Sequence, residues 1–379
     1  MAESTNAKDS AVPRRPKQRL AILRFLLVGT RDCIWMEVKN LIKPLIGRPR
    51  YFDWRGLFVR QYLLHLTGIR PIRKITCIGY RTEGPGSQAI VIMNAINFAR
   101  CAGLTYVHTP FSLIEHADRP MAEWAAAWEK LCNFGAGEPP CDTKSGDVVS
   151  YSHNFPELEL CLGWSHESEE LQQNFKALIP EFRRKFYLTK SPRTTNEVTV
   201  AIHFRRGWDL PANPHLLASA DSIVQTIKLV KSALEAHGIS YRIRVYSEGG
   251  WADFAELDIP GIELSKYRVG HNANGMRGDI SEATRPVAES FQDIDAISAM
   301  RELVEADVLV LSKSSFSYCA AYFSDGIKIY EKAEGQFPLD DWLQFSKYRS
   351  FDVGAFETQL SKLITAKRRE NATGSSESP

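Results

Sequence analysis

Val198-Thr199-Val200-Ala201-Ile202-His203-Phe204-Arg205-Arg206-Gly207-Trp208-Asp209 is an apolar, β-branched run that breaks abruptly into a cluster of cations. Side chains along a strand repeat every two residues, so the run reads as a strand from Val198 to Phe204 that delivers His203 and Arg205 to one side at its carboxyl end. A helical pattern follows from Ser219 to His237, closed by Gly238 where a C′ glycine belongs. The alternation continues as strand Tyr241 to Tyr246, a short helix after Gly250, strand Gly261 to Leu264 and helix Val287 to Glu305. It ends as strand Asp307 to Leu311, helix Ser315 to Phe323 and strand Ile327 to Tyr330. Upstream lies a comparable series: strand Ile75 to Tyr80, helix Gln88 to Cys101, strand Leu104 to His108, a helical stretch over 120–133 anchored by Trp124, Trp128 and Leu131, and a long helix from Leu171 to Tyr187.

Strands alternating with helices predict βαβ units and parallel sheets. Two such series are separated by a Gly/Pro-rich break over 134–147 and a turn-rich stretch from Pro192 to Asn196. The expected fold class is therefore α/β, with two Rossmann-like domains facing across a cleft. The expected divisions are 1–70 as a basic N-terminal arm with amphipathic helices, 71–192 as an N-terminal α/β domain, and 193–335 as a second α/β domain. A C-terminal helical segment over 336–369, with its helix from Asp352 to Lys367, and a disordered tail over 370–379 complete the chain. Ligands of such sheets bind at the carboxyl ends of strands, which gives motifs at those ends the most weight.

Composition excludes several classes. The chain has 379 residues, 44% hydrophobic and 24% charged, which is too apolar for a disordered protein and long enough for two domains. No stretch approaches the roughly 18 unbroken apolar residues of a membrane span. Seven Cys without paired spacing form neither a disulfide framework nor a zinc ribbon, and read as reduced thiols of a cytoplasmic protein. Residues 1–75 hold 16 Lys and Arg against 5 Asp and Glu, leaving 31 against 40 in the remainder. Arg14, Arg15, Lys17 and Arg19 precede an apolar run from Leu20 to Val28, followed by a helical pattern through Ile34, Trp35, Val38, Leu41, Ile42 and Leu45. A basic amphipathic segment of this kind suits peripheral contact with the cytoplasmic face of a membrane, or an arm wrapped on the folded body.

Three motifs carry chemistry. Glu83-Gly84-Pro85-Gly86-Ser87-Gln88-Ala89 follows a strand and opens a helix, matching the dinucleotide pattern in which Gly84 and Gly86 would let a backbone approach a pyrophosphate. A nicotinamide site also needs an acid at the end of the next strand, and that strand ends in Val107-His108-Thr109. The same motif fits a tight turn without a ligand. In the second motif, two adjacent guanidiniums at a strand end, Arg205 and Arg206, call for an anion; a phosphate or a salt bridge to Asp209 or Glu248 would supply it. The third motif is Asp307 to Ala321, an apolar strand entering the hydroxyl cluster Ser312-Lys313-Ser314-Ser315-Phe316-Ser317 and then a helix. Hydroxyls and free N–H groups at a helix start form an anion cradle, aided by Lys313, or simply a Ser N-cap.

In this order, the second and third motifs resemble the nucleotide-binding half of the GDP-fucose-dependent fucosyltransferases, the superfamily of α-1,2, α-1,6 and protein O-fucosyltransferases, over about residues 75–330. The shared pattern is the His-x-Arg strand end at His203 and Arg205, then Asp293 and Asp295 on a predicted helix, then the Ser-x-Ser-like turn. The GPGSQ turn is similar to the glycine-rich loop of the first domain in those enzymes. The resemblance implies a GT-B fold, with 71–192 as the acceptor-side domain and 193–335 as the nucleotide-sugar-binding domain, and an inverting, metal-independent transfer from a GDP-sugar, GDP-fucose by analogy, to a glycan or lipid-linked oligosaccharide, with no further cofactor and no nucleic acid. It implies that Arg205 holds the β-phosphate, and that His203, Arg206, Gly207, Ser315, Phe316 and Ser317 line the nucleotide site together with Gly84 and Gly86. Asp295 is implied as a guanine contact. For the general base that takes the acceptor hydroxyl's proton, Glu83 resembles the position of the catalytic carboxylate in some protein O-fucosyltransferases; Asp209 competes for that role, with Glu115 and His116 behind. Many relatives read Arg-Arg-Gly-Asp, whereas Trp208 intervenes here. Two other readings fit the same residues: a Rossmann oxidoreductase resting on Gly84 and Gly86, and a glycan-binding module that has lost its base.

Overall fold

The structure is a computed structural model that describes residues 31, 64–65, 67–69, 71–77, 83–115, 117–142, 147–151, 168–193, 195–205, 220–247, 257, 259–268, 291–332, 336–345 and 350–374. Among these are ten strands and seven helices. The basic N-terminal arm, apart from isolated residues, lies outside the described residues, as do His116, Arg206, Gly207, Trp208, Asp209 and Glu248. No helix among the described residues is long and apolar enough to cross a membrane.

The chain forms two compact units that interleave along the sequence. The first comprises 1–78, 91–109 and 137–175; the second comprises 79–90, 110–136 and 176–379. In the first unit, strand β1 (Lys74–Cys77) lies between β2 (Thr105–Tyr106) and β3 (Val148–Tyr151), all parallel. Its buried residues include Ile75 and Cys77 of β1, Ile92, Met93, Ile96 and Phe98 of helix α1 (Pro85–Cys101), and Leu171 and Phe175 from the start of α3 (Glu169–Tyr187). The buried Asn97 side chain joins these helices, donating to the Leu171 carbonyl at 3.0 Å.

The second unit holds a seven-stranded parallel sheet in the order β10-β9-β8-β4-β5-β6-β7. The strands are β4 (Val198–His203), β5 (Tyr241–Ser247), β6 (Ile262–Arg268), β7 (Phe291–Asp295), β8 (Val308–Val310), β9 (Ile327–Tyr330) and β10 (Leu343–Gln344). The helices between them are α4 (Ala220–Ala236), α5 (Ala296–Val304) and α6 (Ser315–Phe323); α2 (Met121–Cys132) belongs to the same unit and α7 (Val353–Gly374) follows β10. From β4 the chain winds outward through β5, β6 and β7, then returns to lay β8 on the other side of β4. The β4–β8 boundary is thus the topological switch point, the place at which open parallel sheets generally bind their ligands. Val200, Ile202 and Phe204 are buried with Ile227, Val230 and Leu234 of α4 and with Val308 and Val310 of β8.

The sequence expectations hold for most of this sheet and fail at identifiable places. The expected helix from Val287 to Glu305 is two elements, β7 followed by α5. Phe291, Ile294, Ile297 and Met300 repeat at helical spacing, which masks the strand, but pairing with β6 extends from Leu264↔Phe291 to Arg268↔Asp295 and takes precedence locally. As the outermost strand β7 tolerates its polar residues. Asp293 and Asp295 therefore end a strand, which corrects their assignment to a helix. The strand β3 was not expected after the Gly/Pro break. The 336–369 segment is no separate body, since Phe356, Leu360 and Ile364 of α7 lie in the core of the large sheet. Nor does the helix end where the tail was expected at 370; it runs to Gly374, the first strong stop signal along it.

Candidate functional site

At the switch point, strand β4 and the turn after β8 are clamped at both ends. At the amino end, Asp307 accepts from the Thr199 backbone N–H at 2.8 Å and from its hydroxyl at 2.9 Å, and Lys367 of α7 lies 3.0 Å from the same carboxylate. At the carboxyl end, His203 Nδ1 is 2.6 Å from the Ser312 hydroxyl, and the Arg205 guanidinium donates to the Ser314 hydroxyl at 3.0 Å. These pairs bring together residues 109 positions apart in the chain, so the second and third sequence motifs form one structure.

The turn is built for this contact. Ser314 is the N-cap of α6 in extended backbone, its side chain accepting from the Phe316 N–H at 3.3 Å. The same oxygen accepts from Arg205, so both of its lone pairs are engaged and the guanidinium is seated against the helix start. Ser317 is fully buried and its hydroxyl lies 3.1 Å from the carbonyls of Ser312 and Ser314; what it contributes is the shape of the turn. Sequence reasoning singled out Ser315 and Ser317, whereas the hydroxyls that meet His203 and Arg205 are Ser312 and Ser314. The missed signal was positional: the two hydroxyls at the strand exit alternate, as do His203 and Arg205. Lys313 is turned to Glu331, 2.7 Å away at the exit of β9.

His203 is buried against Phe316, with ring centroids 5.5 Å apart. Burial, and after it the charge of Arg205, push its pKa down to about 3, so the ring is neutral at physiological pH. An unfolded His gains its proton near pH 6.5, whereas the folded one resists it until about 3. Stability conferred by the neutral ring is therefore complete above pH 6.5 and declines by about 1.4 kcal/mol for each further unit of acidification within that window. Subtracting the urea-unfolding profile of His203→Asn from that of the unmodified protein between pH 7 and 4 should give this slope. Parallel profiles would contradict it.

The glycine loop reaches the same place. Gly84 heads α1, its carbonyl accepting from the Gln88 N–H at 3.1 Å, and Pro85 occupies the first helical position, where a missing N–H is harmless. A Cβ on Gly86 would lie 2.6 Å from the Phe316 Cα and 2.8 Å from the Ser315 carbonyl oxygen. No side chain larger than a hydrogen therefore fits at Gly86 beside the backbone at the start of α6. The glycine lets two helix N-termini touch. Trp128 of α2 meets the Phe316 ring edge-on, with ring centroids 6.2 Å apart.

Glu83 precedes the glycines. Burial and, to a smaller extent, the nearby Glu115 raise its pKa above the ordinary carboxylate value. The Glu83 carbonyl accepts from the Glu115 backbone N–H at 3.1 Å, so the two acidic residues sit on loops tied to each other. Asp295 is at the exit of β7, where its carboxylate caps α5 by accepting from the Ser298 N–H at 2.9 Å and the Ser298 hydroxyl at 3.1 Å. The Arg119 guanidinium lies 4.0 Å from Asp295 and above the Trp124 ring. Asp295 is separated from β4 by β5 and β6 in the sheet.

The partial positive ends of α1 and α6, together with the Arg205 guanidinium, converge at this exit. Each helix start carries roughly half a positive charge, and N–H groups there are ready anion donors. The arrangement is suited to hold an anionic group and to stabilise negative charge that develops on it.

No family model matches the chain, and no curated protein is similar to it. Among solved structures it is similar to the crystal structure of the fucosyltransferase NodZ from Bradyrhizobium, at 12% identity and a TM-score of 0.28, over 66% of this chain and 92% of that one.

Proposed function

We propose that this chain is an inverting glycosyltransferase that transfers a sugar from a GDP-sugar, GDP-fucose by resemblance, to a hydroxyl of a glycan or lipid-linked oligosaccharide. The observation that carries the reading is the meeting of Arg205, the α6 helix start and the α1 helix start at the switch point of a parallel sheet. The residues that meet are those on which the sequence resembles the GDP-fucose enzymes.

In this reading Arg205 binds the β-phosphate, while His203, as a neutral ring seated by Ser312, and the backbone at Ser315 and Phe316 contact the nucleotide. As the glycosidic bond to the diphosphate lengthens, negative charge grows on the β-phosphate. A guanidinium and N–H dipoles already fixed in place stabilise that charge more than they stabilise the ground state. Glu83, with its raised pKa, takes the proton of the acceptor hydroxyl. Inversion follows because the acceptor attacks the face opposite the departing diphosphate. Metal independence is part of the proposal on the strength of the resemblance. Peripheral membrane contact through the basic N-terminal segment and a cytoplasmic location belong to the same proposal.

A thermal-shift comparison of nucleotides tests it. GDP at 100 times its dissociation constant should stabilise the protein by about 2.7 kcal/mol, with UDP and NAD far less effective. Equal response to NAD would favour an oxidoreductase instead. GDP binding without turnover of any GDP-sugar would favour a binding module.

A further inference from the structure

We infer that Gln88 is a positioning residue: its side-chain amide clamps the loop carrying Glu83 to the loop carrying Glu115, and so holds the proposed base in place. This rests on the assignment of Glu83 made above. Gln88 is buried, 1% exposed, on the first turn of α1. Its Nε2 donates to the Glu83 carbonyl at 2.9 Å and to the Leu113 carbonyl at 2.7 Å. Carbonyl oxygens only accept, so these two neighbours set which way the amide faces and engage both of its hydrogens.

The Glu83 carbonyl also accepts from the Glu115 N–H at 3.1 Å, which engages both of its lone pairs. The result is a closed arrangement of Gln88, Leu113, Glu115 and Glu83, held from one side chain. It works against a cost: two like-charged side chains, one of them half-buried, are kept on adjoining loops. Nothing in the pairing of two acids favours their proximity, so the loops need an attachment through backbone groups, and Gln88 provides it. The opposite flank is closed by Gly86, two residues earlier, against the start of α6. A single turn of α1 thereby places the proposed base relative to the proposed phosphate site, with Gly86 facing one and Gln88 holding the other.

Gln88→Met preserves the length and apolar bulk of the side chain while removing both donors. With a GDP-sugar as donor, kcat should fall about a hundredfold, as expected for a base displaced by about 1 Å. The KM for the donor and the affinity for GDP should stay as in the unmodified protein, because Arg205 and Ser314 are untouched. Exchange of the Glu115 amide hydrogen should quicken in the same variant. A merely structural role would instead lower thermal stability with kcat retained in the folded fraction. Glu83→Gln run alongside separates the two levels: full turnover in that variant removes the base assignment and this inference with it. An inactive Glu83→Gln beside a fully active Gln88→Met overturns the inference alone. If Gln88→Met does not fold, Gln88→Asn, which keeps the amide but reaches at most one of the two carbonyls, decides by the same kcat criterion.

Discussion

Arg205→Ala is expected to abolish sugar transfer and to weaken GDP binding by about 3 kcal/mol or more, a hundredfold in affinity. The guanidinium leaves the carboxyl end of β4 beside the start of α6, where Ser314 holds one of its N–H groups. In the proposed reaction it faces the phosphate that gathers charge as the sugar departs. Its loss therefore removes ground-state and transition-state contacts together, and turnover should fall further than binding. Arg205→Lys makes the experiment sharper. The ammonium keeps the charge but not the planar fork, so affinity should recover in part while kcat stays low. Calorimetric titration with GDP and single-turnover kinetics measure the two quantities. GDP affinity unchanged in Arg205→Ala would remove the phosphate assignment, whatever happened to turnover.

Gly86→Ala is expected to destabilise the protein by about 1–3 kcal/mol and to lower GDP affinity along with it. The added methyl group would meet backbone at 2.6–2.8 Å, at the Phe316 Cα and N and the Ser315 carbonyl oxygen. Backbone at a helix start cannot rotate aside as a long side chain does, so the two helix N-termini have to separate. That separation pulls on the N-cap hydroxyl of Ser314 and, through it, on Arg205. Gly354→Ala is the matching control. There an added Cβ makes ordinary contact at 3.5 Å, near the start of α7, and helix propensity favours Ala by up to about 1 kcal/mol. Opposite shifts in unfolding midpoint are expected from the two substitutions. Equal shifts, or a Gly86→Ala protein with native stability, would mean that the α1–α6 approach is not load-sensitive and that Gly86 serves some other purpose.

Most strands of the large sheet were legible because each combines a β-branched run with a turn signal and a following helical period. β4, β5, β8 and β9 and helices α4 and α6 fall within a residue or two of their expected limits. The failures have a common cause. β7 has apolar residues that also fit a helical period, and β10 is only Leu343–Gln344; in both, what makes the segment a strand is the neighbour it pairs with. The candidate site was legible to the same extent. Local pattern singled out His203, Arg205 and the hydroxyl turn, since polar groups ending an apolar strand stand out in one dimension. It did not reveal that Ser312 and Ser314, rather than Ser315 and Ser317, meet His203 and Arg205, because that depends on the register of β8 against β4.

The amino-acid sequence by itself determined that this is an α/β chain with parallel sheets, and which strand ends carry cations and hydroxyls, because periodicity and turn chemistry are properties of neighbouring residues. The tertiary structure alone decided that β8 returns to lie beside β4, that Gly86 is filled by the start of α6, and that Gln88 joins two acidic loops. Those outcomes depend on contacts between segments far apart in the chain. Their energies come from strand pairing, close backbone packing and shared hydrogen bonds, none of which is encoded at a single position.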